Sequence, residues 1–298
     1  MPYVLKKYDV LTPQKVEDFL VDVVNLSETL ALKLLKNAKI TDHKNQRLQK
    51  GKVLKSGYIK VLIFEPITKG LKPIFQTEHF ALFDKPSGLL VHPTIRTTEY
   101  TLLDEIRYQF GDKANLAHRI DAETSGLILV SKNGYAQYLL QEMFEKKKFV
   151  KKYKALVSDE IKDDILINAN IAPSKGIIKL KMQTSKEGKA SSTLICPIAY
   201  NKTTNQTLIE ATPHTGRQHQ IRVHLNSIGH PIIGDPIYGL DETFVDAFLN
   251  DKIGNTQRIK VTGAPRLMLH AYYLAFTFLK TRYVFCSKQE FGEGKGRI

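Results

Sequence analysis

The 298-residue sequence has no tryptophan and only two cysteines, Cys196 and Cys286. Two cysteines this far apart exclude a disulfide framework and a zinc site of paired thiolates, and they fit a reducing compartment. No apolar run approaches the roughly 20 residues that a membrane helix needs, and the first ten residues lack the apolar centre of a signal peptide. These absences predict a cytoplasmic protein that neither spans a membrane nor is exported.

Acidic residues are also scarce relative to basic ones. The chain has 30 aspartates and glutamates against 44 lysines and arginines, a formal charge of +14, and the positive charges are spread along its whole length. A field of this sign attracts polyanions and speeds their capture without selecting a particular nucleotide sequence. The composition therefore favours a nucleic-acid partner, and the alternative is a basic protein with no polyanionic ligand.

The spacing of apolar residues divides the chain into two predicted domains. Helical spacing from Val16 to Val24 and again after Ser27, followed by a strand-like stretch at 53–64, predicts a small module in residues 1–70. A linker rich in lysine, glycine and proline follows at 67–73. In residues 71–298, short strands alternate irregularly with few helices. This pattern predicts an α+β domain with a mixed or antiparallel sheet instead of a doubly wound parallel one.

The segment at 117–126, AHRIDAETSG, is a dense polar cluster that runs directly into the apolar residues 127–130. Polar loops next to core strands often hold active sites. The carboxylate of Asp121 follows His118 and Arg119 and precedes a turn at Thr124. Rigid neighbours would hold it there as a nucleophile or base. A capped turn without chemistry is the alternative.

A second cluster, HTGRQHQIRVHL at 214–225, contains three histidines and Arg222. Its alternating polar and apolar residues favour a strand, although a helix that brings His219 and Val223 together also fits. A metal site is disfavoured because the cluster contains neither cysteine nor carboxylate. The guanidinium of Arg222 would instead pair bidentately with a carboxylate and keep Asp121 ionised, or it would form an ordinary structural ion pair.

Tyr153 stands among lysines in the segment KKYKALV at 151–157. A tyrosine in this setting could stack on an exposed base while Lys152 meets a phosphate. It could equally be a core residue with a hydrogen-bonded hydroxyl.

Taken in order, these segments resemble the pseudouridine synthases, in particular the branch that modifies large-subunit ribosomal RNA. The resemblance covers about residues 78–280, and 1–70 resembles an S4 RNA-binding module without the arginines that usually open its two helices. Three motifs carry it: His118-Arg119-Ile120-Asp121 with Thr124-Ser125-Gly126, then Lys152-Tyr153-Lys154-Ala155, and finally Gly216 to Leu225. The chain departs from the family at Ile120, usually leucine, at Gln218, often threonine, and at 241–265, which is longer than the typical connector.

The resemblance implies a long, mostly antiparallel sheet whose central RNA-binding cleft holds Asp121. It implies cleavage of the bond between C1′ and the uracil nitrogen, rotation of the base and formation of a carbon–carbon bond, with no metal or cofactor. Asp121 would attack C1′ or remove a ribose proton, and both routes stay open. Arg222 would hold the carboxylate, and Tyr153 would stack on the base and could help to remove its C5 proton. The implied RNA-binding residues are Arg119, which would fill the vacated space, His118, Thr124, Ile221, Arg217, His219 and Lys152.

The expected partner is ribosomal RNA, with transfer RNA second, and the protein is expected to be a monomer. Two alternatives stay open. One is a hydrolase that uses Asp121 with a histidine from 214–224, and the other is a catalytically idle RNA-binding or ribosome-assembly factor.

Overall fold

The structure, a computed structural model, describes residues 3–93 and 98–289. The chain divides into two compact units, Met1–Lys69 with Pro93–Tyr108, and Gly70–His92 with Gln109–Ile298. Within the described ranges, no helix has both the length and the apolar character needed to cross a membrane.

The first unit combines two short helices with a three-stranded antiparallel sheet of order β1-β5-β3 and a small pairing of β2 with β4. Its elements are β1 (Tyr3–Asp9), β2 (Gln14–Lys15), α1 (Val16–Asp22), α2 (Glu28–Lys36), β3 (Ile40–Asp42), β4 (Val53–Leu54) and β5 (Tyr58–Phe64). Ser27 caps α2 by accepting a hydrogen bond from the Leu30 amide. Phe19, Ala31 and Ile59 share one apolar core, to which α1 also contributes Val16 and Leu20 at helical spacing. The resemblance to an S4 module stays a prediction.

Helix α3 (Leu102–Phe110) also belongs mostly to the first unit, whose second segment ends at Tyr108. The elements of the second unit are β6 (Phe75–Gln76), β7 (Phe80–Lys85), β8 (Asn115–Leu116), β9 (Ser125–Ser131), α4 (Gly134–Glu145), β10 (Phe149–Ser158), β11 (Ile165–Asn168), β12 (Ile171–Pro173), β13 (Met182–Thr184), β14 (Ser192–Asn201), β15 (Gln206–Pro213), α5 (Gln220–Ser227), α6 (Glu242–Leu249), α7 (Asn255–Thr262), β16 (Leu269–Phe278) and β17 (Thr281–Cys286).

A ten-stranded sheet organises the second unit, with the order β11-β14-β15-β10-β16-β9-β7-β6, β17 beside β16 and β8 beside β9. Only β16 and β9 pair in parallel within the described part of this sheet. The predicted α+β class with a large mixed sheet is therefore confirmed. The junction of β9, β16 and β10 lies in the middle of the strand order, where the loop before β9 carries Asp121.

Helix α5 covers one face of the sheet. Along β10 the side chains of Tyr153, Ala155 and Val157 are buried at alternate positions, and they pack in one cluster with Ile221 and Leu225 of α5. The prediction of a strand at 220–225 is wrong, and the helical alternative is confirmed. Residues 220–225 are all buried, so the polar and apolar positions do not sort onto separate faces and the helical period is hidden.

Candidate active site

Asp121 lies on the loop between β8 and β9, and several hydrogen bonds hold the backbone of this loop. The Thr124 amide donates to the Asp121 carbonyl at 3.2 Å. The buried ammonium of Lys85 donates to the carbonyls of Pro86, Leu89 and Ala122 at 2.8–2.9 Å. Burial lowers the pKa of Lys85 to about 7, although Asp121 and Glu123 act in the opposite direction. The loop is thus anchored next to Asp121 while the Asp121 side chain stays 27% exposed.

Arg222 of α5 connects Asp121 to a second carboxylate, Asp235. Its Nε and second amino group donate to the two oxygens of Asp235 at 2.7 and 2.8 Å. The remaining amino group, NH1, donates to Asp121 Oδ2 at 3.3 Å. The bidentate partner is therefore Asp235, not Asp121 as predicted, because Asp235 occupies the two-donor edge of the guanidinium. Burial lowers the pKa of Arg222, but both carboxylates outweigh it and hold the pKa above its ordinary value, so the cation is permanent.

His219 stands at the start of α5 and faces Asp121. Its Nε2 lies 4.0 Å from Asp121 Oδ2. Burial, followed by the charge of Arg222, lowers the pKa of His219 to about 4 in spite of the two carboxylates. The ring is therefore neutral at physiological pH, and the approach to Asp121 is not an ion pair. The Tyr238 hydroxyl accepts from the Met182 amide and lies 2.9 Å from Nδ1. If the hydroxyl donates to Nδ1, the ring proton sits on Nε2, toward Asp121.

A small cavity of about 90 Å³ opens at the Asp121 carboxylate. Of the predicted site residues, only His118 and Lys152 do not line it. The residues that do are Asp121, Arg119, Thr124, Tyr153, Arg217, His219, Ile221 and Arg222. Burial, and then the Asp121 charge, raises the pKa of the Tyr153 hydroxyl, which therefore stays protonated. The structure thus brings one half-buried carboxylate, one permanent cation and one aromatic ring together around a cavity on the scale of a single base.

The cavity adjoins a wider groove of about 650 Å³. Arg119, Lys151 and Arg217 line both spaces, so three basic residues surround the junction. His118 lines only the groove, and its Nε2 accepts a hydrogen bond from the Leu129 amide at 3.1 Å. Desolvation, then the charge of Lys151, lowers the pKa of His118 well below its ordinary value, so the ring is neutral.

Lys152 lines neither space. It pairs with Glu210 at 2.8 Å, and Glu210 also binds the Tyr272 hydroxyl. Its neighbour Lys151 takes the place in the cavity that the sequence analysis assigned to a basic residue of this motif. The period of two in a strand gives the reason, because Lys151 lies two positions from Tyr153 and Lys152 lies only one.

Sequence reasoning missed the roles of Asp235, Lys85 and Lys151. The strand period could have placed Lys151 on the same face as Tyr153, but it could not show that this face lines the cavity. Nothing in the local sequence shows that Asp235 pairs with Arg222 or that Lys85 is buried. Within the described residues, no group of three or more histidines, cysteines, aspartates and glutamates is placed to bind a metal ion.

Comparison with known proteins identifies the family of the chain. The model of the RNA pseudouridylate synthase family matches residues 79–227. An uncharacterized RNA pseudouridine synthase of Helicobacter pylori strain J99 is 34% identical over 290 residues, which are 96% of each chain. The ribosomal large subunit pseudouridine synthase D of Nitrosomonas europaea is 35% identical over 212 residues, 70% of this chain and 58% of that one.

The solved structure of human RNA pseudouridylate synthase domain containing 1 shares the fold, with a TM-score of 0.59 and 24% identity over 76% of this chain and 86% of the human one. The family model and the full-length relative together show the relationship. The chain belongs to the RNA pseudouridine synthase family, the enzymes that isomerise uridine to pseudouridine in RNA.

Proposed function

We propose that the protein isomerises uridine to pseudouridine in large-subunit ribosomal RNA and that Asp121 is the catalytic carboxylate. The observation that carries the proposal is the 3.3 Å contact between Arg222 and Asp121 at a cavity that Tyr153 also lines. Relatives named as ribosomal large subunit pseudouridine synthases, at 30–35% identity, support ribosomal RNA as the substrate class.

Arg222 prepares Asp121 for the reaction before RNA binds. Asp235 holds the guanidinium with two hydrogen bonds, so NH1 is directed at Asp121 without any rearrangement. A charge that is already oriented before the reaction stabilises the transition state more than one whose surroundings must reorganise during the reaction. Asp121 then bonds to C1′ or removes a ribose proton, and either route requires an ionised carboxylate.

The reaction is an isomerisation, so its atoms balance within one nucleotide. The bond from C1′ to N1 of uracil breaks, the released base rotates, and C1′ bonds to C5. The C5 proton is lost and N1 gains one. We assign Tyr153 to stacking against the rotating base, because its raised pKa disfavours the phenolate that removal of the C5 proton would need. Ile221 supplies an apolar wall of the cavity.

The target uridine must leave its stack to reach the cavity, at a cost of a few kcal/mol. Arg119 is exposed and lines both the cavity and the groove, a position from which it could fill the space that the extruded base leaves. Phosphate contacts from Arg217 and its basic neighbours in the groove would offset part of the cost.

The first unit offers a separate basic surface. Lys36, Arg47 and Lys50 surround a hollow at the end of α2. We assign this hollow to RNA contacts outside the target stem. Reversing two of these charges, Lys36→Glu with Arg47→Glu, should weaken modification of full-length ribosomal RNA more than that of a short stem-loop. Equal effects on the two RNAs would contradict this assignment.

The decisive test is tritium release from RNA labelled at uridine C5. Wild-type protein and Asp121→Asn are compared on unmodified large-subunit ribosomal RNA and on bulk transfer RNA. We expect release from ribosomal RNA by the wild type alone. Release from transfer RNA only would show that transfer RNA, and not ribosomal RNA, is the substrate class. Release by Asp121→Asn would show that Asp121 is not the catalytic carboxylate. No release from either RNA, with RNA binding intact, would favour an idle binding factor.

A further inference from the structure

Lys151 occupies the junction between the small cavity and the groove. It lies on β10, two residues before Tyr153, and lines both spaces. Its ammonium lies 5.4 Å from the ring centroid of Phe144 and 4.9 Å from that of Phe149. The two rings hold the cation where an entering nucleotide would pass.

Among the residues that the structure describes, this cation has no anionic partner. Within residues 3–93 and 98–289, no carboxylate forms an ion pair with Lys151 and no hydrogen bond joins its ammonium to another group, whereas the adjacent Lys152 is paired with Glu210. Desolvation lowers the pKa of Lys151 to about 8. The faces of Phe144 and Phe149 offset part of this cost through cation–π contacts. An anion bound at this position would offset the remaining cost of desolvating the ammonium.

We propose that Lys151 binds a backbone phosphate of the nucleotide that enters the cavity and thereby positions its ribose against Asp121. Uracil presents only neutral carbonyl acceptors, whereas every nucleotide brings one full negative charge in its phosphate. An unpaired ammonium at the cavity mouth matches the phosphate. The assignment rests on the proposed function, because it takes the entering ligand to be a nucleotide of RNA.

The test compares Lys151→Met with Lys154→Met. Lys154 lies on the same strand, its ammonium is 5.1 Å from the ring centroid of Tyr272, and it lines neither the cavity nor the groove. Both substitutions remove one charge, so a general loss of positive field affects both. The RNA is an unmodified transcript of large-subunit ribosomal RNA. The protein concentration for half-maximal single-turnover tritium release is measured at several KCl concentrations, and filter binding is measured in parallel.

We expect Lys151→Met to weaken productive binding by roughly tenfold to a hundredfold, the range for one hydrogen bond to a charged group. The slope of log affinity against log KCl should become shallower by about 0.7 to 1, as for one lost phosphate contact. Lys151→Arg should restore most of the affinity and the slope. A slope that does not change in Lys151→Met, or changes equally in Lys154→Met, would overturn the proposal.

Stability separates this role from a structural one. Removing a half-buried charge that has lost part of its hydration should leave the protein as stable as the wild type or more stable. A second neutral variant, Lys151→Gln, guards against a folding defect in Lys151→Met. If Lys151→Met lowers Tm and Lys151→Gln leaves the salt slope unchanged, the residue has a structural role and the proposal is refuted. Wild-type protein that binds the transcript but releases no tritium would refute the proposed function, and filter binding would still decide the phosphate contact.

Discussion

Asp235→Asn should destabilise the protein far more than Asp121→Asn, although both carboxylates contact Arg222. Asp235 is only 1% exposed, and its two oxygens accept from the guanidinium at 2.7 and 2.8 Å and from the amides of Ile237 and Tyr238. Asparagine would leave a buried guanidinium without its neutralising charge and would turn an amide group toward one of its donors. Breaking a buried pair from one side costs about 3–5 kcal/mol.

Asp121 makes one longer contact, and solvent reaches its carboxylate. Asp121→Asn leaves the buried guanidinium paired with Asp235, so it should abolish tritium release with a loss of stability of only about 1 kcal/mol. Urea denaturation followed by circular dichroism measures the free energy of unfolding of both variants. The comparison holds if the slope of this free energy against urea concentration is the same for the two variants and the wild type. Losses within about 0.5 kcal/mol of each other would refute the division of Arg222 between a structural and a catalytic carboxylate.

Three further predictions concern the loop and helix that frame the site. In Gly126→Ala the new Cβ would lie 2.4 Å from a backbone oxygen of β16, at a φ of +112°, so unfolding should become easier by about 3 kcal/mol or more. Gly88→Ala, at a φ of +85° with open space, should cost only about 1 kcal/mol, and equal losses would contradict the clash. The pKa of His219, lowered to about 4 in the folded protein and near 6.5 in the unfolded chain, means that stability falls as pH drops from about 6.5 to 4, by up to about 1.4 kcal/mol per pH unit. His219→Gln should flatten that part of the urea-derived stability profile, and an unchanged slope would count against the buried neutral ring. Arg258→Met removes the cation paired with Glu123 in the Asp121 loop, so kcat for tritium release should fall by about tenfold while KM changes little. A change in KM alone would show that the pair acts on RNA binding.

The sequence was enough to identify the chemistry-bearing segments. AHRIDAETSG, KKYKALV and HTGRQHQIRVHL each combine polar residues with an adjacent apolar run, and the structure places Asp121, Tyr153 and Arg222 around one cavity. Local pattern also predicted α2, because Ser27 and the apolar residues that follow it satisfy a helix start within a few positions. Signals that act over a few residues can be read from sequence because their physics is local.

Three features of the site could not be read in this way. The fully buried α5 hides its helical period, so its alternating residues indicated a strand. The bidentate partner of Arg222 is 13 residues away along the chain, and nothing in Gly234-Asp235-Pro236 marks that contact. The sequence also could not tell which lysine of the tyrosine motif reaches the cavity without the direction of each side chain on β10.

The sequence by itself determined the family, the strongly basic charge and the carboxylate on which the chemistry is proposed to turn, because these depend on residue identity and short spacing. Only the tertiary structure decided that Asp235 holds Arg222, that His219 is neutral, and that Lys151, without an ion pair in the described part of the chain, stands where the cavity meets the groove. These properties depend on burial and on distances between residues far apart in the chain, and they exist only after the sheet and α5 have packed together.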